Sequence, residues 1–162
     1  MFTSPILQDI HHRAHQSLTK LLVHCRGLSD EELHRPVIEG LSEPSVQLLM
    51  HHIISAERYW VGVLQGRMDV DEDQADYPTA DRLEAFRQRI FASTEEYLRG
   101  ASSEEFSTSR PMITWGNKER ILIPAHVIIR TQMHIYHHFG QVAVMCRIMG
   151  KPIPPGMDYP IA

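Results

Sequence analysis

The sequence predicts an all-α protein: a four-helix bundle with a short hairpin in the long connection before the last helix. Three observations point there. Four long segments repeat apolar residues at three- and four-residue steps, the period of a helix buried along one side. Strand signals are confined to one short stretch around Met112 to Ile121. At 162 residues, with 43% hydrophobic and 22% charged residues, the chain suits a single domain, 1–162, with one sizeable core.

The first helix runs roughly from Pro5 to Arg26, with Leu7, Ile10, Ala14, Leu18, Leu21 and Cys25 as its apolar stripe. Gly27 follows its end. Ser29 and Glu32 form a capping-box pattern for a short turn, Ser29 to His34, which Pro36 stops. The second long helix begins near Pro44, passes through Leu48, Leu49, His52, Ala56, Tyr59 and Val63, and ends at Gly66. An acidic, turn-rich loop follows over 69–78. The third runs from Thr79, an N-cap, to Leu98, with Gly100 as the stop. The connection 101–123 is long for a small domain, and such connections are often functional. Within it, Gly116-Asn117 reads as a two-residue hairpin turn. The fourth helix spans Pro124 to Met149. It is apolar nearly all round, so it is central in the bundle or shared with a second copy in a homodimer.

Composition removes several functions. A net charge of −4 gives no basic footprint for nucleic acid. No run is long enough to span a bilayer, and the N-terminus does not read as a secretory signal. Cys25 and Cys146 form no C-x-x-C pair and read as free buried thiols of a cytoplasmic protein. The unusual number is eleven histidines.

A helix turns about 100° per residue, so each histidine can be placed against its own apolar stripe. On the fourth helix, Val127, Thr131, His134, His138, Gln141, Met145 and Ile148 form a seam of alternating four- and three-residue steps, with polar residues in its middle. Burying two imidazoles there unpartnered costs roughly several tenths to a few kcal/mol each. His134 and His138 stand one turn apart, as in H-E-x-x-H, so both reach one metal ion. His137 is a rim residue. On the second helix, His52 shares a side with Leu49, Ala56 and Tyr59, whereas His51 shares one with Gln47 and Arg58 and faces out. His52 could therefore supply a third ligand, or serve as a hydrogen-bonded core residue. The His11/His15 pair has the same spacing, but His12, His15 and His24 lie about 90° or more from their stripe and read as surface residues, with only His11 near its edge. His34 and His126 lie at element ends. Glu57 reads as exposed or capping, and Trp60 and Trp115 as core or interface residues.

The stretch Leu48-Leu49-Met50-His51-His52-Ile53-Ile54-Ser55-Ala56-Glu57-Arg58-Tyr59-Trp60 resembles the LLxHIxxAExxW segment of the DinB-like (YfiT-like) metalloprotein family. His134-Ile135-Tyr136-His137-His138-Phe139-Gly140-Gln141 resembles that family's H-x-x-H-H-x-G-Q signature, with Phe139 where the family often carries Arg. The resemblance spans nearly the whole chain. It implies a divalent metal held by His52, His134 and His138, and it implies a thiol-dependent S-transferase chemistry known for some members.

Three neutral imidazoles leave the ion's charge uncompensated and at least one coordination position open, which suits a catalytic site. The position takes an anion: hydroxide from water, or a thiolate. Zn, Ni, Fe and Mn all suit three histidines. Gln141, Thr131, Ser55 and Tyr59 are the candidates for orienting the imidazoles or a bound ligand. Two classes of function stay open. One is a metalloenzyme acting on a small-molecule substrate or thiol, by thiol transfer or hydrolysis. The other is a non-catalytic metal-binding bundle. No catalytic residue is singled out.

Overall fold

In the computed structural model, which describes residues 1–67, 72–158 and 160, four long helices carry most of the chain. They are α1 (Ser4–Cys25), α3 (Val46–Leu64), α4 (Ala80–Gly100) and α6 (Pro124–Ile148). Two short helices, α2 (Asp30–His34) and α5 (Ser103–Ser107), lie between them, with a two-stranded antiparallel sheet of β1 (Arg110–Thr114) and β2 (Lys118–Leu122). α1 packs on α4 and α6, and α3 packs on α6 and α4, so the long helices close a ring of neighbours.

Local chemistry sets the helix starts. Pro5 and Pro124 occupy first-turn positions, where a missing N–H costs nothing. The Ser45 hydroxyl accepts the Leu48 N–H, so α3 begins after Ser45 rather than at Pro44. Thr79 caps α4 through the Arg82 N–H, and Ser29 and Glu32 form the reciprocal capping box expected of α2. Of the acidic loop expected at 69–78, residues 69–71 lie outside the described residues; the rest includes a 3₁₀ turn, Gln74–Asp76. The short helix α5, which carries no periodic signal, is capped by Ser102 and buries Phe106.

The hairpin falls where the sequence places it, but its loop is one residue longer. Thr114 pairs with Lys118, leaving Trp115, Gly116 and Asn117 in the turn. Gly116 (φ 67°) and Asn117 (φ 56°) take the left-handed conformation that these residue types tolerate best. Trp115 leaves the ladder for a tertiary partner: its N–H donates to the Tyr59 hydroxyl (2.8 Å), and the two rings stack 3.9 Å apart.

On α6 the buried stripe is rotated by about one residue from the expected seam. Val127, Ile128, Thr131, Gln132, Ile135, Phe139, Val142, Met145 and Cys146 form it, so Val127, Thr131 and Met145 stay inward as expected, while Ile148 is 60% exposed. Burial of Ile135, Phe139 and Val142 stabilises this rotation more than burial of two imidazoles would. His134, His138 and Gln141 are therefore left half-buried at the stripe's edge.

The apolar core has two parts. One contains Leu18, Leu21, Leu49, Ile53, Phe86, Ile135 and Val142; the other contains Leu7, Trp60, Val63, Leu98, Phe106 and Ile128. Along each long helix, buried polar residues fall between the two: His11 on α1, Glu57 on α3, Thr94 on α4, and Thr131 and Gln132 on α6. A polar layer thus crosses the core. The α6 register has a direct test: Ile135→Ala, at 1% exposure, should cost about 2–5 kcal/mol in urea unfolding. Met133→Ala, at 66% exposure, should change stability by about 0.5 kcal/mol or less.

Candidate metal centre

Packing of α3 on α6 brings His52 onto the His134/His138 pair. One ring nitrogen from each lies within 4.8 Å of the other two. The Nε2 atoms of His134 and His138 face each other at 2.9 Å, and the His52 ring centroid lies 5.1 and 4.9 Å from those of His134 and His138. Burial, with the neighbouring His138 and His52 rings, lowers the His134 pKa to about 3. Burial also lowers that of His138. Both imidazoles are held neutral, the form that ligates a metal. His134 Nδ1 is buried with no hydrogen-bond partner, unlike a core histidine kept for its hydrogen bonds. The donor set therefore fits a divalent ion.

Two partners orient the rings. His138 Nδ1–H donates to Gln141 Oε1 (2.5 Å), which leaves the Nε2 lone pair facing the cluster. Glu43 Oε1 lies 3.5 Å from His52 Nδ1 and plays the corresponding part there. Gln141 was legible from its place one turn beyond His138; Glu43 sits in an irregular segment before α3 and had no periodic signal. The other three candidates act elsewhere. The Thr131 hydroxyl donates to the Ile128 carbonyl (2.7 Å) and accepts from Gln132. Ser55 meets the His51 ring at 3.3 Å. Tyr59 accepts the Trp115 N–H.

Ser55 and Tyr59 nevertheless line the cavity beside the cluster. This space of about 420 Å³ is bounded by His52, His134, Trp60, Trp115, Arg130 and Glu72, among others. Trp115 is 58% exposed at the hairpin tip, so both tryptophans form cavity wall, a role their sequence context did not indicate. Arg130 lies over the Trp60 ring at 5.0 Å and puts positive charge at the wall. Phe139 packs into the core, so the basic group at this site comes from Arg130 instead. His51, expected to face out, is buried against Tyr77 and Phe86. The segment after α3 folds over that face, and Gln47 holds it by donating to the carbonyls of Gln74 and Tyr77.

The largest departure concerns α1. His11 and His15 are fully buried, and so is Glu57. His15 Nε2–H donates to Glu57 Oε2 (2.8 Å), and the Thr94 hydroxyl donates to Glu57 Oε1 (2.7 Å). Arg87 donates to His15 Nδ1 (3.1 Å) while holding Glu84 by two bonds. Burial alone would raise the Glu57 pKa, but His15, His11 and the hydrogen bonds outweigh it and hold the group at about 2. A helical wheel ranks faces by hydrophobicity and cannot see a polar face buried against a polar partner on another helix. His12 is exposed as expected, and His24, also expected at the surface, is half-buried.

The architecture and the histidine cluster define a class: a mostly helical protein with a histidine group at the edge of its core that could hold a metal ion. Comparison with known proteins agrees. The DinB family model matches residues 6–162, and the chain belongs to the DinB family. It is similar to the uncharacterized protein YizA of Bacillus subtilis (strain 168), with 27% identity over 125 residues, 76% of this chain and 75% of YizA.

Acid should unfold the metal-free protein through the polar layer. Burial lowers the folded-state pKa of His11 from 6.5 to about 4, so between these values the unfolded chain binds a proton that the folded chain does not. Stability is full above about pH 6.5 and falls as pH drops toward 4; Glu57 adds to the loss from about 4.5 down to about 2. Urea unfolding in chelator should show a decrease of about 2–3 kcal/mol from pH 7 to 4.5, partly removed in His11→Leu.

Proposed function

We propose that this protein is a divalent-metal-dependent enzyme of the thiol S-transferase type, with His52, His134 and His138 as metal ligands. The carrying observation is the convergence of three imidazoles from α3 and α6 at the edge of the core, beside a cavity. The four-helix-bundle reading of the fold rests on the ring of contacts among the long helices. A bound ion would supply Lewis acidity that lowers the pKa of a thiol or water set against it. Zn, Ni, Fe and Mn all suit this donor set.

The chain's own residues supply the rest. Gln141 and Glu43 hold two of the rings with their far nitrogens toward the cluster. Tyr59, Trp60 and Trp115 give an apolar wall for the carbon part of a small substrate. The Arg130 guanidinium is placed to attract a carboxylate. Thiol transfer is favoured over hydrolysis by the state of Glu72, the one carboxylate lining the cavity among the described residues. It pairs with Arg58 and Arg89 and accepts the Tyr77 hydroxyl, so it is poorly placed to take a proton from water. A thiol deprotonated on an ion needs no such base.

Metal analysis tests the ligand set: His52→Ala and His138→Ala should each hold about one equivalent fewer than the parent. Full retention in both would sink the assignment. Transfer of a panel of low-molecular-weight thiols to an electrophile should follow metal content across the same variants. Trp115→Ala should raise KM roughly several-fold with little change in kcat, since it removes wall rather than ligands.

A homodimer belongs to the same proposal. The outer face of α6 exposes Met133, Val144 and Ile148, and a groove lined by Ile129, Met133 and His137 runs beside the cavity. Light scattering at micromolar concentration should give a dimer, and Met133→Glu with Val144→Glu a monomer. A cytoplasmic location is also proposed; Cys25 and Cys146 are free and buried. Among the described residues, no helix is long and apolar enough to cross a membrane.

A further inference from the structure

The polar layer holds a second group of metal-ligating side chains, apart from the cluster described above. His11, His15 and Glu57 each present a donor atom within 4.8 Å of the other two. His11 Nδ1 lies 3.5 Å from Glu57 Oε1, and His15 Nε2 lies 2.8 Å from Glu57 Oε2. Both His11 ring nitrogens are buried and neither makes a well-formed hydrogen bond, although the Phe91 backbone and the Gln132 side chain lie near the ring. That cost is unusual in a native core and calls for an occupant.

We infer that His11, His15 and Glu57 form a second, enclosed site for a divalent transition-metal ion in the middle of the core. The donor set, two imidazoles and a carboxylate, is one that binds Fe, Mn or Zn. The surroundings fit that role. Thr94 fixes the Glu57 carboxylate from outside the triangle. Glu95 Oε1 lies 3.9 Å from His11 Nε2, across the ring from Glu57, and is held there by His12 Nε2 at 2.9 Å. An ion on Nδ1 puts the His11 proton on Nε2, facing that carboxylate, the usual support for a ligating histidine. Charge favours a cation as well. Arg87 is already paired with Glu84, so Glu57 offers a divalent ion a carboxylate charge, with Glu95, which also meets His12, on the far side of the His11 ring.

Arg87 opposes loading. Its Nη1 donates to His15 Nδ1, so the empty site keeps the His15 proton on Nε2. An ion at Nε2 moves that proton to Nδ1, where it meets a donor. Arg87 must then give way toward the neighbouring cavity, which it lines with Thr19, Lys20 and Phe91. Replacing Arg87 by Gln offers a carbonyl oxygen to that proton and should tighten binding.

The inference stands apart from the His52/His134/His138 reading and is tested with that cluster removed. The full chain carrying His52→Ala, His134→Ala and His138→Ala is loaded with Zn²⁺ and dialysed. It should keep about one equivalent, against about two in the parent. X-ray absorption should show nitrogen and oxygen donors, and His11→Leu in the same background should release the ion. Arg87→Gln in that background should bind Zn²⁺ roughly ten-fold more tightly. A folded triple variant with no retained Zn²⁺ overturns the inference, as does an ion that survives His11→Leu. Should His11→Leu fail to fold, an Arg87→Gln variant that binds Zn²⁺ no more tightly overturns it. A parent that loses no metal in the triple variant defeats the three-histidine reading alone.

Discussion

A carboxylate withdrawn from water organises this molecule. Glu57 sits between the two apolar parts of the core, and every long helix turns a polar residue toward its level. An isolated charge there would be costly, so its partners must be in place when the helices dock. His15 from α1 and Thr94 from α4 bind it directly, and α6 brings Thr131 and Gln132 to the layer. Apolar burial supplies most of the stability but is tolerant of register. The polar layer is not, because a one-residue slip on any helix strands a buried donor or acceptor.

That fixed register also places the histidine cluster at the boundary between core and solvent. Ile135, Phe139 and Val142 take the centre of the α6 stripe, and His134, His138 and Gln141 take its edge. At the centre, the imidazoles would be sealed away from any substrate. On the outer face, water would weaken their convergence. The edge gives neutral rings and access together, and the hairpin completes the arrangement by laying Trp115 against Tyr59 at the cavity wall. The long connection before α6 thus contributes wall to the site.

The fold was largely legible because helix caps and periodic apolar stripes are local signals. Ser29 and Thr79 act as caps as their residue types suggest, and the hairpin falls around Gly116-Asn117, whereas α3 starts after Ser45 and not at Pro44. That His52, His134 and His138 could meet was legible too, since each stands beside an apolar stripe, but not that all three are half-buried at its edge. Among the supporting residues, Gln141 was readable one turn from His138, whereas Thr131, inward as expected, bonds to the Ile128 carbonyl and Gln132 instead of the histidines. Glu43 carried no signal in its irregular segment.

By itself the sequence determined the helices, their caps, and a histidine pair and a third histidine able to meet. Those depend on spacing within one helix, which local periodicity records. Only the tertiary structure decided that His15, His51 and Glu57 are buried, that α6 turns its histidines to the edge, and that Trp115 walls the cavity. Each of these depends on what another segment places opposite a polar side chain. A polar residue facing water and one facing a buried polar partner look alike along the chain.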